Sequence, residues 1–189
     1  MFNATLARTA RRAAILALFV ALPALAAALK ADPAKSKITA TFKQMNVPVD
    51  AAFRKFDARI AYDPTKPETS KADVTIDVAS FDLGDADYNK EVQKKEWFDT
   101  AQFPQARFTS TSIKPAGAGK LDVTGKLTIK GKTTDVHFPM TVARDGNAES
   151  FDGTLPIKRL SYDIGEGEWK DTSMVADDVV IHFHVVAAP

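Results

Sequence analysis

The chain has 189 residues with 25 Lys+Arg against 24 Asp+Glu, a formal net charge of +1, and 45% of it is apolar. That composition suits one ordinary globular core and lacks the basic excess of a protein that tracks nucleic-acid phosphates. It contains no cysteine and three histidines, which excludes a disulfide scaffold, a Cys-ligated metal and a Cys nucleophile, and starves a His-rich centre.

Residues 1–28 read as a signal peptide, leaving a domain over 29–189. Arg8, Arg11 and Arg12 form a basic start, and an apolar run follows from Ala13 to Leu29, broken only by Pro23. Ala24-Leu25-Ala26 and Ala26-Ala27-Ala28 both fit a small-x-small cleavage pattern. The run is short and Ala-rich for a spanning helix, which wants roughly 20 strongly apolar residues. Cleavage removes three basic residues and no acid, so the mature chain carries a formal charge of −2. An exported periplasmic protein with no transmembrane span is expected.

From Ser36 onward the apolar period is two, the mark of half-buried strands. Eight strands are predicted in chain order. Ile38, Ala40 and Phe42 mark the first, Phe56, Ala58, Ile60 and Tyr62 the second, and Val74, Ile76 and Val78 the third. Ala106 to Lys114 is the fourth; Leu121, Val123, Leu127 and Ile129 mark the fifth. Val136, Phe138, Met140 and Val142 mark the sixth, Phe151 to Ile157 the seventh, and Val179, Ile181, Phe183 and Val185 the last. Lys130-Gly131, Asp145-Gly146 and Pro115 to Gly119 are hairpin turns, and Asp63 to Pro67 separates strands two and three. Phe53 and Phe56, three apart, predict a β-bulge. Between strands three and four, Asp85 or Asp87 caps a short helix through Tyr88 and Val92, which Pro104 stops well downstream. Leu160 to Met174 is an irregular Gly- and charge-rich stretch before the last strand.

Eight antiparallel strands must hide one apolar face each, as a sandwich or a closed barrel. Hairpin connections favour an all-β, eight-stranded antiparallel up-and-down barrel with one short α-helix. Such a barrel fills its interior or holds one small ligand. A slot on the order of 25–30 Å long fits the strand lengths. The inward parity assigns Phe42, Phe56, Ile60, Ile76, Val78, Phe108, Val123, Leu127, Ile129, Val136, Phe138, Met140, Phe151, Leu155, Ile181 and Phe183 to the lining. Parity alone does not separate a dry core from a ligand tunnel. Tyr88, Trp97, Arg159 and Trp169 lie on the two irregular segments, as candidates for the mouth and a head group. Lys90, Lys94 and Lys95 read as a solvated helix face.

Three segments carry a resemblance. Phe98 to Thr111 (FDTAQFPQARFTST), Gly125 to Gly131 (GKLTIKG) and Lys158 to Gly165 (KRLSYDIG) resemble, in order and spacing, motifs of the YceI-like polyisoprenoid-binding proteins. The resemblance runs from about Ser36 to Val186. It implies a periplasmic, lipocalin-like barrel with an apolar cavity for a long-chain isoprenoid lipid, either a polyprenyl phosphate or an isoprenoid quinone. It implies a binder or carrier rather than an enzyme, with no cofactor besides the lipid, and a homodimer for which Thr109, Thr111 and Ile113 are one exposed parity. Tyr88-Asn89-Lys90-Glu91-Val92 stands where many members have R-D-x-H-L, so a head-group role for that Arg or His does not transfer. Glu166 to Asp171 resembles a branch found beside membrane b-type cytochromes, which makes such a cytochrome a partner to consider. The alternative is a filled-core barrel acting as a periplasmic interaction module.

Catalytic and metal readings are weaker. His182 and His184 share a face, with His137 as a third ligand candidate, but the opposite parity holds the apolar residues. Glu166 and Glu168 form a carboxylate pair in a charged loop without a rigid frame. Ser110, Ser112, Ser161 and Ser173 lack a nucleophile-elbow sequence.

Overall fold

A computed structural model describes residues 28–189. The leader reading lies outside the described residues, apart from its last position. Eleven strands form one continuous antiparallel sheet that closes on itself. They are β1 (Ala28–Ala31), β2 (Lys37–Gln44), β3 (Val47–Phe53), β4 (Phe56–Ala61), β5 (Lys71–Asp77) and β6 (Phe81–Asp82). After the helix α1 (Ala86–Glu91) come β7 (Gln105–Gly117), β8 (Lys120–Ile129), β9 (Lys132–Asp145), β10 (Ala148–Lys158) and β11 (Val175–Ala188).

The eleven segments make eight staves. β1 and β2 are two lengths of one stave, broken at residues 32–36; both pair with β11 on one side. β3 and β4 are the next, broken at Arg54 and Lys55, and pair with β2 and β1. β5 and β6 flank a tight turn at Val78–Ser80 and pair with β4 and β3. β7 to β11 then follow as a plain meander back to β1. The β1–β11 pairing closes the sheet and leaves the two-residue β6 as its terminal strand. The all-β, eight-stranded up-and-down barrel with one short helix is therefore the fold.

The break at Arg54 and Lys55 falls where the Phe53/Phe56 spacing predicts an irregularity. There the chain switches partners: Arg54 N–H donates to the Ser80 carbonyl at 3.2 Å, and the Lys55 carbonyl accepts from Asp77 N–H at 3.0 Å. Three strands differ from the expectation, the two-residue β6 among them. β1 takes Leu29, counted above with the leader run, and buries it opposite Ile60. β3 was not among the eight predicted strands. Its Val47, Val49, Ala51 and Phe53 alternate like the others, but Pro48 and the absence of a glycine in the preceding turn mask it.

Two inward glycines decide how the interior packs. A Cβ on Gly125 would sit 2.4 Å from the Phe108 ring, and one on Gly153 would sit 2.4 Å from the Phe183 ring. Each ring therefore reaches over bare backbone of the neighbouring stave. Between them stands Phe138, 5.6 Å from Phe108 and 5.5 Å from Phe183 by ring centroids. Three rings in tilted and edge-on contact thus cross the barrel from β7 through β9 to β11.

Candidate functional site

The interior holds two apolar chambers rather than the one continuous slot expected. The larger, about 290 Å³, lies at the end covered by α1 and the 160–174 loop; the smaller, about 110 Å³, lies towards the opposite end. Ile181 borders both. Of the lining residues assigned by parity, Phe42 and Ile129 border the larger chamber. Ile60, Ile76, Phe108, Val123, Leu127, Phe138, Met140, Phe151, Leu155 and Phe183 border the smaller one. Phe56, Val78 and Val136 border neither: their parity is inward, but they are packed into the core, Val78 in the turn that splits β5 from β6.

The four mouth candidates, Tyr88, Trp97, Arg159 and Trp169, all border the larger chamber. Sequence reasoning missed Val49, Phe53, Phe81, Leu83 and Phe98 beside them. Phe53, Phe81 and Phe98 form a ring cluster with centroids 4.7, 5.4 and 6.5 Å apart, which seats β3, β6 and the turn after α1 on one another. The alternation in β3 is a signal for Val49 and Phe53 alone; Phe81, in the two-residue β6, and Leu83 and Phe98, on irregular chain, have no period to mark them.

α1 is held at the mouth by local chemistry. The Asp85 carboxylate accepts from the N–H groups of Asp87 and Tyr88, as an N-cap should. The Asn89 amide donates to Asp82 Oδ1 at 3.0 Å, and its carbonyl oxygen accepts from Leu83 N–H at 2.7 Å. Bonds from Asn89, the Gly84 N–H and Arg54 bring the half-buried Asp82 carboxyl down to about 2. Asn89 thus anchors the helix to the β6 end of the chain.

Arg159 corrects the head-group reading. Its residue is 2% exposed, and its Nε, Nη1 and Nη2 donate to the carbonyls of Ala176, Ile164, Gly165, Trp169 and Val175 at 2.6–3.2 Å. A guanidinium has five N–H donors, and all five are taken by backbone. Gly165 permits this, since a Cβ there would fall 2.1 Å from Nη1. Burial lowers the Arg159 pKa, opposed by the nearby Asp177 carboxylate. Arg159 is the strut that folds the 160–174 loop over the chamber, and its cation also lies 5.9 Å over the Trp97 ring.

A second buried cation sews the same loop to the turn after α1. Lys130, in the tight β8–β9 turn, donates to the carbonyls of Lys95 and Asp163, both at 2.7 Å, and to Glu166 Oε2 at 3.0 Å. The N–H groups of Gly165 and Glu166 both donate to the Glu96 carbonyl at 2.8 Å. Trp97 and Trp169 meet across this seam with ring centroids 5.2 Å apart. The Trp97 indole N–H is buried there without a hydrogen-bond partner.

Other polar candidates lie elsewhere. His182 and His184 face outward from β11, and His184 pairs with Asp152. Among the described residues no three His, Asp or Glu side chains gather where they could hold a metal ion. Glu166 is occupied by Lys130. Among the described residues no helix is long and apolar enough to cross a membrane.

The chain is 57% identical to BcnA of Burkholderia cenocepacia, with a TM-score of 0.82 over 84% of this chain and 99% of that one. A polyisoprenoid binding domain from Saccharophagus degradans, implicated in plant cell wall breakdown, shares the fold at 19% identity, with a TM-score of 0.70 over 87% of this chain and 99% of that one. Among curated relatives, Protein YceI of Salmonella arizonae is 35% identical over 66% of this chain, and a UPF0312 protein of Ectopseudomonas mendocina is 32% identical over 59% of it. The matches span 63% and 62% of those relatives' own lengths. Residues 29–187, nearly all that the structure describes, match the YceI-like domain, and the chain belongs to that family.

Proposed function

We propose that this protein is a periplasmic binder and carrier of a long-chain isoprenoid lipid, held with its chain in the barrel and its end group in the larger chamber. The observation that carries this reading is the pair of apolar chambers within the closed barrel, of about 290 and 110 Å³. A filled-core interaction module would need neither. The Saccharophagus domain of the same fold is described as polyisoprenoid-binding, which supports the ligand class.

The wall chemistry favours an uncharged end group such as a quinone ring over a phosphate. Arg159 is the sole cation among the residues lining either chamber, and its donors are all spent on backbone. The sole lining acid is Glu91, which pairs with Lys94. An entering phosphate would lose its hydration without gaining charge-assisted bonds. A small shift of the Trp97 indole would hand its unpartnered N–H to a ligand carbonyl instead. Nothing in this wall assembles a nucleophile, base and oxyanion donor, and binding without catalysis is the reading.

Affinity then comes chiefly from chain burial, about 25 cal/mol per Å² removed from water. Isoprenoid quinones shortened one isoprene unit at a time are expected to bind progressively more weakly in a titration followed by tryptophan fluorescence. Equal affinity for the bare quinone ring and the full lipid would contradict the reading.

Export sets the start of the mature chain. Cleavage after Ala26 or Ala28 keeps Leu29, which β1 buries opposite Ile60. Cleavage as late as Ala31 would remove β1 and uncover Ile60 and Ala187, both buried at the closure. N-terminal sequencing of protein released by osmotic shock is expected to read from Ala27 or Leu29. A membrane-held product beginning at Met1 would contradict export as a cleaved protein.

A further inference from the structure

Met45 and Asn46 make the two-residue turn between β2 and β3, and both have positive φ, 48° and 64°. Asparagine tolerates that backbone; a long apolar side chain is placed there against the turn's preference. Met45 gains no burial in return, being 68% exposed. A residue set against both its backbone and its hydropathy points to a role outside folding.

Three other large apolar side chains are exposed among the described residues: Val47 at 62%, Tyr88 at 60% and Met174 at 44%. All belong to the same end of the barrel. Met45 N–H donates to the Met174 carbonyl at 2.8 Å, and Met174 precedes Val175, which lines the larger chamber. Val47 pairs with Gln44, another lining residue, and Tyr88 lines the chamber itself.

We propose that this rim docks on the surface of a lipid bilayer and sets the chamber mouth against the membrane. The inference rests on the carrier reading, since a long apolar lipid passes between bilayer and cavity only where its path avoids water. The rim suits a bilayer better than a second copy of this chain. Its four side chains expose a few hundred Å², well short of the roughly 800 Å² per partner of a stable interface. Its nearest helix charges cancel as pairs, Lys90 with Asp87 and Lys94 with Glu91, so the attraction is apolar insertion rather than charge. Methionine and tyrosine suit that interface, one by adaptability and the other by its amphipathic ring.

The test is flotation of the mature protein with phosphatidylcholine vesicles, comparing wild type with the double variant Met45→Asn, Val47→Ser. The variant is expected to lose on the order of ten-fold in vesicle partition. Met45→Asn alone is expected to leave the thermal midpoint unchanged or raised, because asparagine fits the turn. Titration with detergent-dispersed isoprenoid quinone is expected to be unchanged, since neither residue lines the chamber. Wild type that fails to float, or a variant that floats equally, overturns the proposal. So does flotation that requires anionic lipid and vanishes in high salt. A wild-type dimer that the variant dissociates without vesicles also overturns it, by making a second copy the occupant. Wild type that floats yet takes up no quinone sinks the carrier reading and leaves the docking surface standing.

Discussion

Arg159→Ala is expected to destabilise the domain by at least about 3 kcal/mol, because it strips five backbone carbonyls of a charged donor at once. For a domain of this size that lowers the thermal midpoint by roughly 6–12 °C. Arg159→Lys should recover little, since an ammonium reaches fewer acceptors and lacks the planar fork. Gly165→Ala should fail in the same direction, its Cβ falling on the guanidinium. Urea unfolding followed by circular dichroism checks all three. An Arg159→Ala protein of unchanged stability that discriminates differently between charged and neutral lipids would restore Arg159 to head-group recognition.

The second large effect contrasts two inward charges. Phe138→Glu would put a carboxylate between the rings of Phe108 and Phe183, in a layer where every neighbour is apolar. An uncompensated charge there costs several kcal/mol, and the domain is expected not to fold. Ile129→Lys lies instead on the larger chamber, one residue before the β8–β9 turn. Its long stem can carry the ammonium towards the mouth, so the barrel should survive and lipid uptake should be lost. A folded Phe138→Glu protein would mean that the ring layer is loose. An Ile129→Lys protein with full uptake would mean that the larger chamber is not the binding site.

The difference between these positions was not legible in the sequence. Period-two alternation named the inward face of nearly every stave, and with the hairpin turns it was enough to choose a closed barrel. Inward parity is silent about depth, so Phe138 and Ile129 looked equivalent. What separates them is Gly125 and Gly153, each seating a ring from an adjoining stave. The same limit applies at the mouth. Tyr88, Trp97, Arg159 and Trp169, on two irregular segments, all border the larger chamber. The role of Arg159 depends on where five carbonyls point, which no residue pattern encodes. β3 was hidden because its turn carries Met45 where hairpin turns usually carry glycine, asparagine or aspartate.

The two chambers are expected to hold an isoprenoid lipid with an uncharged end group. Organic extraction of protein purified from its native compartment, followed by mass spectrometry, tests it most directly. The expected extract holds one predominant long-chain isoprenoid quinone, close to one molecule per chain, absent from an Ile129→Lys protein purified alongside. An extract with no lipid above that control, or one dominated by a polyprenyl phosphate, would contradict it.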